Sequence, residues 1–343
     1  MAKENKVHGV AAVGSAEISR EEDGIRLDRW FKRHYPGLTH GRLEKLLRTG
    51  QIRVDGKRAG ASDRLAAGGR VRLPPQVTLG KLEEKPKRAA PDAGMTGATL
   101  QDRVIYMDGS VIVIDKPPGL ATQGGSGLTR HIDGMLDSLM FEKKQRPRLV
   151  HRLDRDTSGV LVIARNASAA AALSASLAHR DASKIYWALT CGVPKPKRGR
   201  IKAALAKEAG PRGIERMTVA GDEDEDAKAA VTDYAVMGEA GEYAWVAAKP
   251  LTGRTHQIRV HLASIGTPIV GDFKYGGAAA RGRGELADKL HLHARSIDIA
   301  KPDDAGRIHV TAPLPEHMKK AWALFGFDAE SAVDPFAKTR KKP

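Results

Sequence analysis

The chain has 343 residues, with 57 Lys and Arg against 41 Asp and Glu, which leaves a formal net charge of +16 at pH 7. This excess favours a polyanionic partner, nucleic acid before an anionic membrane surface, and no apolar run approaches the roughly 20 residues of a membrane-spanning helix. The N-terminal segment is too polar for a secretory signal, and the single cysteine, Cys191, excludes an internal disulfide framework or a cysteine-based zinc site, so we expect a cytoplasmic protein.

Residues 1–22 show little apolar periodicity, and we expect them to form a disordered leader. Residues 24–74 are dense in cations, with thirteen Lys and Arg against four Asp and Glu, a net charge of +9. Apolar residues recur there twice at the i, i+3, i+4 spacing of an amphipathic helix, at Leu27, Trp30 and Phe31 and at Leu43, Leu46 and Leu47. The pattern predicts two helices, the second beginning at an N-cap, Thr39, and ending at Gly50.

Short strands are predicted after these helices. The stretch QIRVDGKRA (51–59) indicates a strand, an Asp-Gly turn and a second strand, and GGRVRLP (68–74) indicates another. Residues 77–100 mix Pro, Gly and charge without an apolar period, which is typical of a linker.

Residues 101–328 indicate a mixed α+β body in which strands dominate. Apolar runs of strand length are SVIVIDKPPGL (110–120), GVLVIAR (159–165), KIYWALTCG (184–192) and EYAWVAAKPL (242–251), and the Ala-rich run 166–180 predicts a helix. Residues 220–228 and 275–285 are expected to be exposed loops, and 329–343 a basic tail.

The stretch HRLDRDTSG (151–159) concentrates charge at the start of a predicted strand. Thr157-Ser158-Gly159 leads directly into the apolar run, which places Asp154 and Asp156 at the edge of the core beside Arg152 and Arg155. A carboxylate beside a cation stays ionised, and an ionised, positioned Asp is suited to nucleophilic attack. These residues by themselves leave two interpretations open, a catalytic carboxylate and a structural Arg–Asp cluster.

Two further stretches carry candidate functional residues. In THQIRVH (255–261), taken as extended, Gln257, Arg259 and His261 would form one polar, basic face, suited to RNA phosphates or to pairing with Asp154. A metal site at His256 and His261 finds no supporting carboxylate pattern. Tyr186 lies in an apolar strand and is either a core residue or a ring that stacks on an extruded base.

The segment IRLDRWFKRHYPGLTHGRLEKLLRTGQIRVDGKRA (25–59) resembles the S4 RNA-binding domain. The resemblance implies an S4 domain over residues 23–76, of two helices and short strands. It also implies that five of its cations face RNA phosphates: Arg42, Lys45, Arg48, Arg53 and Lys57.

HRLDRDTSG, KIYWALTCG, LTGRTHQIRVHLASIGTPIVGD (251–272) and VIVIDKPPGL together resemble the RluA-type pseudouridine synthases, which isomerise uridines in ribosomal and transfer RNA. An S4 domain in front is typical of the branch that acts on large-subunit ribosomal RNA. The resemblance implies a mainly antiparallel catalytic sheet with flanking helices, base flipping, and no cofactor or metal. We expect a monomer acting on large-subunit ribosomal RNA, with tRNA as the alternative.

The resemblance also assigns roles. It selects Asp154 over Asp156 as the nucleophile, makes Arg259 its ion-pair partner in preference to Arg254, and has Tyr186 stack on the uracil and assist removal of the C5 proton. It places His151, Arg152, Ile258 and Arg254 at the substrate, with Arg152 entering the gap left by the flipped base. The alternative from another class is a non-catalytic, ribosome-associated S4 protein with a decayed synthase body.

Overall fold

Two amphipathic helices and a three-stranded sheet form the N-terminal unit. The computed structural model describes residues 14–35, 38, 40–78, 97–124, 130–179, 182–209, 215–221, 224, 226–286, 288–303 and 306–337; of these, 14–78 and 97–337 belong to separate units. The first contains β1 (Gly14–Glu17), a 3-10 turn (Arg20–Glu22), α1 (Leu27–His34), α2 (His40–Arg48), β2 (Arg53–Val54), β3 (Arg70–Leu73) and α3 (Pro75–Thr78). Its antiparallel sheet has the order β1-β3-β2.

The predicted helical spacing produces the core of this unit. Leu27, Trp30 and Phe31 of α1 and Leu43, Leu46 and Leu47 of α2 are all buried, together with Ile52, Val71 and Leu73. Both predicted helices are therefore confirmed, and Gly50 follows α2 with a positive φ of 69°; the predicted N-cap, Thr39, lies outside the described residues.

The Asp-Gly turn is confirmed, but its second arm is shorter than predicted. Asp55 and Gly56 both have positive φ, 48° and 77°, as a tight hairpin turn requires. Val54 and Lys57 exchange backbone hydrogen bonds across it. After this single bridge the chain no longer pairs with β2, and β3 is the strand that pairs with β2 instead.

Four predicted boundaries need correction within the described residues. β1 and the 3-10 turn lie inside the expected leader, and β1 pairs with β3. Val77, expected in the linker, is buried in the N-terminal core. At the other end of that linker, Leu100 is buried in the second unit. In the expected tail, Ala329 and Phe336 pack on the core of that unit, because burying apolar side chains against apolar surface is favourable even in a charged segment.

A ten-stranded sheet forms the second unit and confirms the predicted α+β class. The strands are β4 (Val104–Met107), β5 (Val111–Lys116), β6 (Arg148–Leu149), β7 (Ser158–Ala164), β8 (Ser183–Cys191), β9 (Arg198–Lys202), β12 (Val231–Ala240), β13 (Tyr243–Pro250), β14 (Leu292–Ala300) and β15 (Arg307–Thr311). Along the sheet the strand order is β4-β5-β7-β14-β8-β13-β12-β9, with β6 on β7 and β15 on β14; β7 and β14 are parallel and the other pairs antiparallel. A separate hairpin joins β10 (Leu205–Ala209) and β11 (Glu215–Val219).

Helices cover both faces of this sheet. They are α4 (Gly97–Gln101), α5 (Ile132–Met135), α6 (Ala167–Ala178), α7 (Gln257–Ser264) and α8 (Glu316–Phe325), with 3-10 turns at Leu136–Leu139 and Gly277–Ala280. Trp322 of α8 packs with Trp187 and Trp245 on one face, and α7 packs through Ile258 and Leu262 on the other. Burial on both faces explains the nearly continuous apolar runs of β5 and β7.

The expectation of an extended THQIRVH is wrong. Residues 257–264 form α7, and six consecutive side chains, from Gln257 to Leu262, are buried. The alternation of polar and apolar residues that indicated a strand has another origin, because the polar members are internal hydrogen-bonding residues and not one face of a strand.

Candidate active site

A cavity of about 260 Å³ lies between the loop before β7, the strand β8 and the N-terminal end of α7. Its lining includes all seven residues of this unit to which the family resemblance assigned a role: His151, Arg152, Asp154, Tyr186, Arg254, Ile258 and Arg259. Residues separated by more than 100 positions in the chain therefore meet around one space.

The loop that carries Asp154 is attached to the segment after β5. Lys116, fully buried, donates through Nζ to three carbonyls, those of Pro117, Leu120 and Arg155, at 2.8–2.9 Å. Thr122 Oγ1 donates to the Leu153 carbonyl at 2.7 Å and lies 3.1 Å from the Leu153 amide. The residues on both sides of Asp154 thus have their backbone held, which positions the carboxylate.

Gly159 allows this loop to enter the sheet. It has a φ of +104°, and a Cβ there would lie 2.2 Å from the Ala294 carbonyl oxygen of β14, so glycine is the residue that fits. Beside it, the buried Ser158 Oγ lies 2.8 Å from His293 Nδ1. Ser158 and Gly159 of the motif are therefore required by the packing of β7 against β14.

Burial dominates the electrostatics of Asp154. Its side chain is 20% exposed, and burial raises the pKa of the carboxyl above its usual range, opposed first by Arg259 and then by Arg152 and Lys116. Asp156, the local rival, is 52% exposed, pairs with Arg155 and does not line the cavity. Of the two carboxylates, Asp154 has the sheltered environment of a reacting group.

The structure corrects the predicted ion pair between Arg259 and Asp154. Arg259 instead binds Asp272 at two points, Nε to Oδ2 at 2.9 Å and Nη2 to Oδ1 at 2.7 Å, with both residues buried. Sequence reasoning missed Asp272, although it lies within the same quoted stretch. Arg254, the alternative partner, donates to the Ala229 carbonyl and lines the cavity rim.

Gln257 and His261 are structural residues and not the polar face that the sequence predicted. The Gln257 amide nitrogen donates to the Val231 carbonyl and to Thr232 Oγ1, each at 2.9 Å, and His261 Nδ1 lies 2.8 Å from the same hydroxyl. His261 Nε2 contacts the Ala203 carbonyl. They attach α7 to β12, which holds the neighbouring Ile258 and Arg259 at the cavity.

His256 lies beside Asp154, with 3.7 Å between Nε2 and Oδ1. Its Nδ1 lies 2.5 Å from the hydroxyl of Tyr275. The sequence had suggested only a metal role for His256 and had not singled out Tyr275. Both Asp272 and Tyr275 lie in GDFKYG (271–276), which overlaps the end of the stretch 251–272, and this position was the signal that could have identified them.

Tyr186 reaches the cavity from β8 through alternation along the strand. Burial, and then the charge of Asp154, raise the pKa of its phenol, so the hydroxyl keeps its proton at neutral pH. Lys184, two positions earlier on the same face, also lines the cavity and was not predicted. His151 Nε2 accepts from the Val162 amide at 2.9 Å, and burial together with Lys184 lowers its pKa to about 3.

The predicted RNA-contacting cations lie in the N-terminal unit. Arg42, Lys45 and Arg48 are exposed on α2, and Lys57 is exposed at the tight turn. Arg53 is less available for phosphate binding, because its guanidinium donates to the carbonyls of Gly50 and Gly56.

The described part of the chain contains neither a cluster of metal ligands nor a membrane-spanning helix. No group of three or more His, Cys, Asp or Glu residues is arranged to hold a metal ion there. Nor does any helix in that part have the length and apolarity needed to cross a membrane.

Comparisons with known proteins identify the family of this chain. The family model described as RNA pseudouridylate synthase matches residues 110–264, which include Asp154, Tyr186 and Arg259. "RNA pseudouridine synthase 4, mitochondrial" from Arabidopsis thaliana is 33% identical over 90% of this chain and 81% of its own. "Ribosomal large subunit pseudouridine synthase C" from Vibrio vulnificus is 35% identical over 89% and 94%.

A solved structure, "Human RNA Pseudouridylate Synthase Domain Containing 4", superposes with a TM-score of 0.56 at 27% identity, covering 67% of this chain and 95% of that one. The chain belongs to the RNA pseudouridine synthases of the RluA type. It is thus an isomerase that acts on RNA, and the non-catalytic alternative is set aside. The family model does not cover the N-terminal unit, so its S4 assignment remains a proposal.

Proposed function

We propose that this synthase isomerises uridines of large-subunit ribosomal RNA, with Asp154 as the nucleophile. The observation that carries the catalytic part is the single cavity in which Asp154, Tyr186 and Arg259 meet. The names of the bacterial relatives supply the RNA target, and transfer RNA remains the alternative.

The reaction sets the requirements for the site. The N1–C1′ bond breaks, the uracil turns, and C5 bonds to C1′ while the C5 proton is lost and N1 gains one. The uridine must first leave its stack, at a cost of a few kcal/mol. A sheltered carboxylate then attacks C1′ or assists formation of a glycal, and no oxidation or phosphate transfer enters the balance.

Each cavity residue has a place in this scheme. Tyr186 stacks on the uracil; its raised pKa favours this role over proton removal as a phenolate. Arg152, exposed at the rim, enters the gap in the RNA, and Ile258 forms an apolar wall. Arg254 binds a phosphate at the rim. Arg259 supplies positive potential to Asp154 from its pair with Asp272, and His151 supports the cavity wall.

The N-terminal unit is the proposed S4 domain. Its exposed cations on α2 and at the tight turn suit the phosphates of folded RNA. We place the enzyme in the cytoplasm as a monomer; the Arabidopsis relative is named as mitochondrial, so the compartment differs among related proteins.

The test of the activity is tritium release from large-subunit ribosomal RNA labelled at uridine C5. We expect release with the unmodified chain, and none with Asp154→Asn, while both bind the RNA alike. Asp156→Asn is the matched control, because the same change at the exposed neighbour leaves the cavity intact. Full activity of Asp154→Asn would overturn the assignment of the nucleophile.

The RNA target needs a second measurement. Pseudouridine maps of ribosomal and transfer RNA from a deletion strain and its parent should differ at uridines of large-subunit RNA. Losses confined to transfer RNA would select the alternative substrate.

A further inference from the structure

His256 lies between the proposed nucleophile and a tyrosine. Its Nε2 is 3.7 Å from Asp154 Oδ1, and its Nδ1 is 2.5 Å from the Tyr275 hydroxyl. His256 also lines the cavity and immediately precedes α7 with a left-handed backbone, φ +53°. The imidazole is therefore fixed from one side by a strong hydrogen bond and presents its other nitrogen to the carboxylate.

The hydrogen bonds of Tyr275 favour one of the two tautomers of His256. The Tyr275 hydroxyl oxygen accepts from the Met217 amide at 3.3 Å, and a phenol has one proton to donate. We assign the phenol proton to a hydrogen bond donated to Nδ1, which places the ring proton on Nε2. The opposite tautomer would place a lone pair of Nε2 against the Asp154 carboxylate, an unfavourable contact.

The imidazole is neutral at physiological pH. Burial is the main cause, followed by Arg259 and Lys274, and together they lower the pKa of His256 to about 4. A neutral ring with its proton on Nε2 is a hydrogen-bond donor to Asp154 that adds no formal charge to the cavity.

Tyr275 is itself held in place. The guanidinium carbon of Arg259 lies 5.0 Å from the centre of the Tyr275 ring and that of Arg216 lies 5.8 Å from it. Arg259 is in turn fixed by its two hydrogen bonds to Asp272. The hydroxyl that orients His256 therefore belongs to a rigid group.

We propose that His256 is a positioning residue for Asp154: its Nε2–H donates to Oδ1, and Tyr275 maintains the tautomer that makes this possible. The inference rests on the proposed role of Asp154. Hydrogen bonds of a catalytic site are often long before substrate binds and shorten in the complex, so the 3.7 Å gap closes with the RNA bound. Oδ1 is thereby held, and Oδ2 is left to react at C1′.

The test compares His256→Leu, His256→Gln and Tyr275→Phe in the full chain. Large-subunit ribosomal RNA transcript labelled with tritium at uridine C5 gives the single-turnover rate, and filter binding gives Kd. We expect His256→Leu to lower the rate about 10- to 100-fold, the size typical of partners that orient a reactive group, with Kd within about twofold. His256→Gln should regain most of the rate, because its amide N–H can replace Nε2–H.

Tyr275→Phe should lower the rate by a smaller factor, since it removes one oxygen and keeps the ring. Tyr234→Phe is the matched control: this buried hydroxyl donates to the Pro196 carbonyl outside the cavity, so the rate should not change. Tyr275→Phe also keeps the test decisive if His256→Leu fails to fold.

Three results would overturn the inference: wild-type rates in His256→Leu, no recovery in His256→Gln relative to His256→Leu, or a Tyr275→Phe rate equal to that of the control. A failure of the proposed function is distinct, because the unmodified chain would then release no tritium.

Discussion

Arg259 and Asp272 form a buried, two-point ion pair at the edge of the cavity, with N–O distances of 2.9 and 2.7 Å. A guanidinium already paired with one carboxylate attracts a second one less strongly. This explains why burial outweighs Arg259 at Asp154 and raises the pKa of the Asp154 carboxyl. Among the described residues no arginine lies within ion-pair distance of Asp154, so the proposed nucleophile is held in a sheltered site by other contacts.

Asp272→Asn should destabilise the protein strongly. The change leaves the buried Arg259 without its counter-charge, and breaking a buried pair in this way costs about 3–5 kcal/mol. Urea denaturation measures the loss. Asp298→Asn is the control, since that carboxylate pairs with Arg307 at a more exposed site and surface pairs contribute at most about 1 kcal/mol. Equal losses in the two variants would contradict the importance assigned to burial.

As the pH is lowered, activity should be lost at a higher pH than would be expected for a nucleophilic carboxyl with an ordinary pKa. The nucleophile must be ionised, and its pKa is raised, so protonation sets in earlier as the pH falls. The groups that oppose this rise are Arg259, Arg152 and Lys116, while Asp156 adds to it. Arg152→Gln should therefore move the acid limb of the single-turnover rate to still higher pH.

Arg148→Gln is the control for this shift, because Arg148 is an exposed residue of β6 outside the cavity lining. An acid limb that stays in place in Arg152→Gln would show that Arg152 does not influence the titrating carboxyl.

Stability should decrease as the pH falls below about 6.5. Burial lowers the pKa of His291 to about 4 and that of His293 to about 3, so below 6.5 the unfolded chain binds more protons than the folded one. Stability from these groups is complete above 6.5 and is lost progressively toward pH 4 to 3. At pH 5 each histidine should contribute a loss of about 2 kcal/mol relative to pH 7.5.

Urea denaturation at pH 5 and pH 7.5 measures this difference. His293→Gln removes one titrating group and should reduce the difference between the two pH values, whereas the exposed His309→Gln should not. An unchanged difference in His293→Gln would contradict the linkage.

Arg42→Gln combined with Lys45→Gln should weaken RNA binding and reduce its salt dependence. Each phosphate contact that is lost lowers the slope of log K against log salt by about 0.7 to 0.9. Filter binding across a range of KCl concentrations measures the slope. Lys319→Gln with Lys320→Gln removes the same charge from exposed positions of α8 and is the control. Equal slopes in the two double variants would exclude a special role of α2.

Gly159→Ala should destabilise the fold by about 3 kcal/mol or more, because the methyl group meets the Ala294 carbonyl at 2.2 Å and the backbone is left-handed. Thermal unfolding measures the effect. Gly109→Ala is the control, since a Cβ there finds open space. A stable Gly159→Ala protein would show that the loop before β7 can relax.

The spacing of apolar residues along the sequence was sufficient to predict many of the helices and strands. The spacing of Leu27, Trp30 and Phe31 predicted α1 because one helical face had to be apolar, and the run from Val111 to Ile114 predicted a buried strand. The same reasoning failed at THQIRVH, since alternation is a signal of a strand only when the polar residues face solvent. There they face Val231, Thr232 and Ala203 within the protein.

The sequence by itself determined the family, seven of the residues that line the cavity, among them Asp154, Tyr186 and Arg259, and the basic character of the N-terminal unit, because these depend on residue types in ordered motifs. Only the tertiary structure decided which charges meet. Asp272 forms an ion pair with Arg259, Tyr275 hydrogen-bonds to His256, and Lys116 donates to the Arg155 carbonyl. Such partners are determined by their distance in space and not by their separation in the sequence. In HRLDRDTSG, Asp154 was predicted to pair with an arginine, whereas in the structure it is a sheltered carboxylate beside the neutral His256.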